Sequence, residues 1–174
     1  MGVSEQGGSL GEVVVLRYLQ ILLIITVAMW GLLSAIDNLA DWSGTNDAVT
    51  SVSSMSTYQG GPFRWRATHN PVVVVVGSVF ITLSKAASGC LCLLGALQMW
   101  RARRQDTVGF THAKSLALSG GAVAILLLFG GFVVIAEGWF EMWRSSLMVS
   151  TVSSQAFRYG GMITLISLFV AIRS

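Results

Sequence analysis

The chain has 174 residues, 53% of them hydrophobic and 11% charged, with a formal net charge of +3. Long apolar runs leave no room for a separate soluble domain, and the absence of a dense Lys/Arg block excludes the clustered basic face of a nucleic-acid binder. The fold class expected is all-α: a polytopic membrane protein, one domain over 1–174, built as a bundle of four transmembrane helices with a small structured outer lid between helices 1 and 2.

The first apolar run, Val13 to Ala35, exceeds the roughly 20 residues needed to cross a hydrocarbon core of about 30 Å. Acidic Glu5 and Glu12 precede it and no small-residue cleavage site follows, so it reads as a retained helix rather than a secretory signal. The opening Met1 to Gln6 has no Ser or Thr at the sixth position and misses the N-myristoylation pattern. Gly31 and Ala35 form a short small-residue stripe on this span.

The loop over 36–70 is too long for a simple connection and predicts structure of its own. Asp37 and Asp41 share a helix face by their four-residue spacing. Asp47 is expected to cap a short helix through Val49, Val52 and Met55. Gly60, Gly61 and Pro62 then force a turn, and Phe63, Trp65 and Arg66 lead back to the membrane. A lid over the ends of the helices is the economical picture.

The second run, Val72 to Trp100, carries Ser84, Ser88, Cys92 and Ala96 at four-residue spacing. Such a stripe makes a groove into which a neighbouring helix settles, because close approach supplies much of the association energy in a bilayer. Cys90 and Cys92 point to different faces and serve as small packing residues. Lys85 is the exception in this span, since an intramembrane cation usually faces protein or water. Three readings stay open: an ion pair with Glu137, snorkelling of its stem to the outer boundary, or a part in ion or proton passage.

The third run, Leu116 to Gly138, opens with Ala113, Ala117, Gly121 and Ala124. The short basic loop before it makes spans two and three antiparallel neighbours, so a tight hairpin between the two stripes is expected. Glu137 and Glu141, like Trp139 and Trp143, are four apart and predict that this helix continues outward with an acidic and an aromatic face. Phe157 to Ile172 is the fourth run, short enough to require some bilayer thinning.

Arg101, Arg103, Arg104 and Lys114 place the loop between spans two and three in the cytoplasm, and with it both termini, by the positive-inside rule. Five of the six tryptophans then fall on the outer side, as an aromatic belt would. The acids Asp37, Asp41, Asp47, Glu137 and Glu141 could in principle hold a divalent cation, but without a calcium-loop spacing and with Arg64, Arg66, Arg144 and Arg158 on the same side, ion pairs and caps are the expected use. No metal site, cofactor or catalytic residue is expected: His69 and His112 lie at opposite faces, and no nucleophile, base and orienting group occur together.

Asp37-Asn38, Asp41, Asn46, Val49, Met55, then Trp65-Arg66-Ala67 and an apolar span ending in Gly95-Ala96 resemble a bacterial family of predicted small integral membrane proteins of unknown function. The likeness extends through the later basic loop and the Glu137 to Trp143 segment. It departs from the family pattern at Ser56-Thr57 and at Lys85, where carboxylates are usual, so no role carried by those carboxylates transfers. The resemblance implies four spans in a bacterial inner membrane and no activity. The residues themselves point to a non-enzymatic accessory or assembly subunit, whose expected partners are membrane lipid and other integral membrane subunits, such as those of a respiratory or photosynthetic complex. The alternative is a transporter, channel or ligand receptor with a site beneath the lid near Lys85 and Glu137.

Overall fold

The computed structural model describes residues 4–61 and 64–174. Among them the regular structure is helical: α1 (Ser4–Ala40), α2 (Trp42–Ser53), α3 (Pro71–Ala102), α4 (Thr107–Ala113), α5 (Ser115–Ile125), which runs on as a π-helix over Leu126–Trp139, the single turn α6 (Ser146–Met148) and α7 (Ser154–Ala171). Among the described residues three stretches are long and apolar enough to cross a membrane, Gly11–Ala40, Pro71–Ala102 and Thr107–Trp139. The fourth run forms α7, an 18-residue helix whose first turns carry Gln155, Arg158 and Tyr159, and it is not among the three.

α3 is the centre of the bundle, with α1 on one side and α5 on the other, and glycine decides both crossings. A Cβ on Gly31 would stand 2.7 Å from the Gly89 backbone nitrogen, and one on Gly89 2.7 Å from that of Leu32, so α1 and α3 meet backbone to backbone. At the second crossing a Cβ on Gly95 would fall inside the Ala117 backbone, and one on Gly120 would stand 2.8 Å from the Cys92 nitrogen. This is how helices associate where no hydrophobic effect drives them together. Ser88 Oγ donates to the Gly120 carbonyl at 2.8 Å, and the Cys92 thiol lies 3.6 Å from the Ala117 carbonyl. Ser88, Cys92, Ala96, Ala117 and Ala124 are buried at these contacts, while Ser84 is half-buried. Gly121 points elsewhere: a Cβ there would meet Ser167 Oγ of α7, and it is Gly120 that faces α3.

One end of the bundle is held by cations and carbonyls. Arg17 of α1 donates to the carbonyls of Arg103 (3.1 Å), Gln105 (2.6 Å) and Ser174 (3.0 Å). Gln20 donates to those of Phe169 and Ile172, and Lys114 to that of Ile172 at 2.6 Å. The Phe110 ring lies beneath both cations. These bonds satisfy carbonyls that a helix end leaves without partners, and they bring the Arg17–Gln20 turn of α1 and the start of α5 together with the ends of α3 and α7.

Two local expectations are corrected. The helix after α1 begins at Trp42 and is capped by Asp41, whose Oδ1 accepts from Gly44 N at 3.0 Å, not by Asp47; Met55 lies beyond its end at φ 52°. A carboxylate one residue after α1 captures the free amides first, so α2 starts six residues earlier than the Asp47 reading has it. The third span does not continue to Trp143 as an amphipathic helix either. Glu141 takes the left-handed conformation, φ 53°, and a 3-10 turn over Met142–Arg144 follows. Glu137 and Glu141 therefore share no helix face. The turn expected at Gly60 is present at φ 82°, whereas Pro62 and Phe63 lie outside the described residues.

Candidate functional site

The end of the bundle opposite Arg17 holds two polar clusters. In the first, the segment after α2 is tied to the end of the π-helix. Arg66 donates to the Trp139 carbonyl at 3.2 Å and lies 3.9 Å from Glu141, which is also 3.6 Å from Arg144. The Trp65 and Trp139 rings meet edge to face with centroids 5.7 Å apart, and the Arg66 guanidinium stands over both. Thr57 and Ser145 hydroxyls are 2.8 Å apart, and Gln59 N donates to the Arg144 carbonyl. Burial and the nearby Glu141 carboxylate push the Tyr58 phenol up to about 12. The side chains of this knot engage one another through ion pairs, ring contacts and hydrogen bonds, with Glu141 Oε2 buried and not hydrogen-bonded, and together they fix the loop.

The second cluster faces open space. Asn38, in the last turn of α1, lies against Thr82 and Lys85 of α3. Lys85 Nζ donates to Asn38 Oδ1 at 3.1 Å, Asn38 Nδ2 donates to Thr82 Oγ1 at 3.4 Å, and the Thr82 hydroxyl donates to the Ser78 carbonyl at 2.8 Å. This chain of donors orients the Asn38 amide so that its oxygen, not its nitrogen, meets the cation. Glu137 does not pair with Lys85: it sits half-buried near the end of the π-helix, while Asn38 lies one helix contact away from Lys85. The sequence spacing within one chain segment could not rank these two partners, because they come from α1 and from the π-helix.

Asp37, Asn38, Asp41 and Lys85 line one wall of a cleft of about 990 Å³ between α1, α2, α3, the π-helix and the start of α7. The remaining walls are largely apolar, with Val76, Phe80, Leu127, Phe132 and Ile135 prominent, and Gly131 widens the floor beside Phe80. The wide π turns, closed by the bond from Phe140 N to the Ile135 carbonyl, belong to a geometry that is uncommon over more than one turn and recurs at functional sites.

A model of the family described as predicted small integral membrane proteins, DUF2165, matches residues 16–173. The chain belongs to this family. No curated protein and no solved structure matches it. In this DUF2165 protein the sequence motif of the first loop is divided between the two clusters. Asp37, Asn38 and Asp41 go to the cleft, while Trp65 and Arg66 go to the knot. Met55 is buried, and Asn46 holds its side-chain oxygen buried without a hydrogen bond. Among the described residues no group of three or more His, Cys, Asp or Glu is placed to hold a metal ion.

In the sequence Lys114 carries only a topology signal, whereas a glutamine such as Gln20 inside an apolar run is itself a sign of a polar partner. Thr82 and Gly131 carried no readable signal: the first is one more small polar residue in a span, the second one more glycine in a Gly-Gly pair.

Proposed function

We propose that this small integral membrane protein binds an amphipathic molecule in the cleft beside Lys85, acting by binding rather than by catalysis. The observation that carries the reading is the union of an apolar cleft of about 990 Å³ with a charged side chain on its wall that is oriented by a second polar residue. Sites for small molecules commonly have this form, a mostly apolar concavity with a few placed polar groups. Within this reading the protein has four spans, α7 being the fourth, and resides in a bacterial inner membrane with the Arg17 and Lys114 end in the cytoplasm. The cluster of Arg101, Arg103, Arg104 and Lys114 at that end supports the orientation, and α2 with the rest of the described part of the 36–70 loop acts as a lid.

Equilibrium binding of alkyl amphiphiles to the protein in nanodiscs tests the proposal. Gly131→Leu places a side chain in the cleft, near Leu127 and Phe80, at a point free of backbone contacts. The variant is expected to lose binding and keep its thermal unfolding temperature. A wild-type protein that binds no amphiphile, or a variant that binds as well as wild type, overturns the reading.

One observation favours a second role, as an accessory or assembly subunit. Gly130 and Gly161 have open space where a side chain would stand, so a helix from another protein can approach closely there. Cysteine crosslinking from Gly130 and Gly161 in native membranes should then capture a stoichiometric partner, and the absence of any crosslinked species rejects this role.

A further inference from the structure

Lys85 meets the cleft as an ammonium with three N–H donors, of which one goes to Asn38 Oδ1. Asn38 is a neutral amide, so that bond orients the cation without neutralising it. Among the described residues no carboxylate lies within ion-pair distance of Lys85. Asp37 and Asp41 stand one helical turn apart on the same wall, joined by the bond from Asp41 N to the Asp37 carbonyl. Asp41 is engaged, accepting from Gly44 N and from the Ser43 hydroxyl, whereas the Asp37 side chain is exposed.

The wall thus offers a cation with no ion-pair partner among the described residues and, on α1 beside its Asn38 partner, two carboxylates one turn apart, with aromatic and aliphatic side chains opposite. A simple anion placed at Lys85 would face the field of Asp37 and Asp41, and a simple cation placed at Asp37 would face that of Lys85. Only a head group bearing both signs meets a complementary charge at each position. Resting on the reading of the cleft as a binding site, we infer that its ligand is a zwitterionic amphiphile, with a phosphate or carboxylate at Lys85, an ammonium toward Asp37 and an apolar body against Val76, Phe80 and Phe132. Two sources share this chemistry, a bilayer phospholipid with an amine head group and a soluble zwitterionic amphiphile.

The experiment compares four probes of one chain length on the purified protein in micelles of an uncharged polyoxyethylene detergent: an alkyl phosphoethanolamine, an alkyl phosphate, an alkylamine and an uncharged alkyl glycoside. The phosphoethanolamine is expected to bind about tenfold more tightly than either singly charged probe, the scale of one charge-assisted hydrogen bond. Lys85→Met should erase its advantage over the alkylamine, and Asp37→Asn its advantage over the alkyl phosphate, while Lys85→Arg retains both and guards against a folding defect. Alkyl phosphate or alkylamine binding as tightly as the zwitterion overturns the inference and leaves the cleft reading standing; failure of all four probes overturns both. Phospholipid retained after mild extraction and displaced by the phosphoethanolamine supports the bilayer source, and a protein that retains no phospholipid yet binds the phosphoethanolamine supports the soluble one.

Discussion

Gly95→Ala probes the crossing of α3 and α5 with a single methyl group. The new Cβ would stand 2.6 Å from Ala117 Cα and 2.7 Å from its Cβ, where carbon atoms prefer roughly 3.5–4.0 Å. No flexible side chain can yield, because the obstruction is the backbone of α5, so the two helices must separate by about 1 Å. Overpacking of this kind costs about 1–3 kcal/mol. Separation also stretches the bond from Ser88 to the Gly120 carbonyl, now 2.8 Å, and interhelical hydrogen bonds in membranes contribute about 0.6 to 1.7 kcal/mol. Alanine's better helix propensity returns up to about 1 kcal/mol. A net loss of about 1–3 kcal/mol remains. Reversible denaturation in mixed micelles measures it, with Gly161→Ala as the control, since a Cβ there meets nothing within 4 Å. A Gly95→Ala protein as stable as the control would refute the claim that backbone contact at this glycine holds the hairpin together.

The Tyr58 phenol, raised to about 12 from an ordinary 10, binds its proton more tightly in the folded state than in the unfolded one. Its contribution to stability is therefore complete below about pH 10 and is lost as pH rises toward 12, so Tyr58→Phe should flatten the fall in unfolding temperature over that window. Glu141→Gln removes one of the two causes and should lower the phenol's titration midpoint without returning it to 10, as read by ultraviolet difference titration in a Tyr18→Phe, Tyr159→Phe background. At the other end of the bundle, Arg17→Met deletes three bonds to carbonyls of separate segments and leaves those acceptors without a cation. A loss of more than about 2 kcal/mol is expected, with hydrogen exchange rising first in the last turn of α7; protection unchanged there would show that the Arg17 bonds do not hold that helix.

What composition and local pattern could carry, they carried well. Apolar runs of spanning length are a one-dimensional property, so the helical class and the positions of α1, α3 and α5 were legible, and the four-residue recurrence of Ser88, Cys92 and Ala96 showed one packing face because neighbours on a helix are fixed by its pitch. The division of that face between partners was not legible. Gly120 and Gly121 are adjacent and chemically identical, yet one meets α3 and the other α7, a difference of about 100° of rotation that only the packed bundle assigns. Local capping was also beyond the pattern, because Asp41 and Asp47 are equally good caps and the choice depends on where α1 ends. Lys85 stood out by its charge alone, since an intramembrane cation is costly wherever it lies. Its partner was decided by tertiary structure: Asn38 and Glu137 are both distant in the chain, and the tight contact of α1 with α3 at Gly31 and Gly89 brings the amide, not the carboxylate, within reach of the cation.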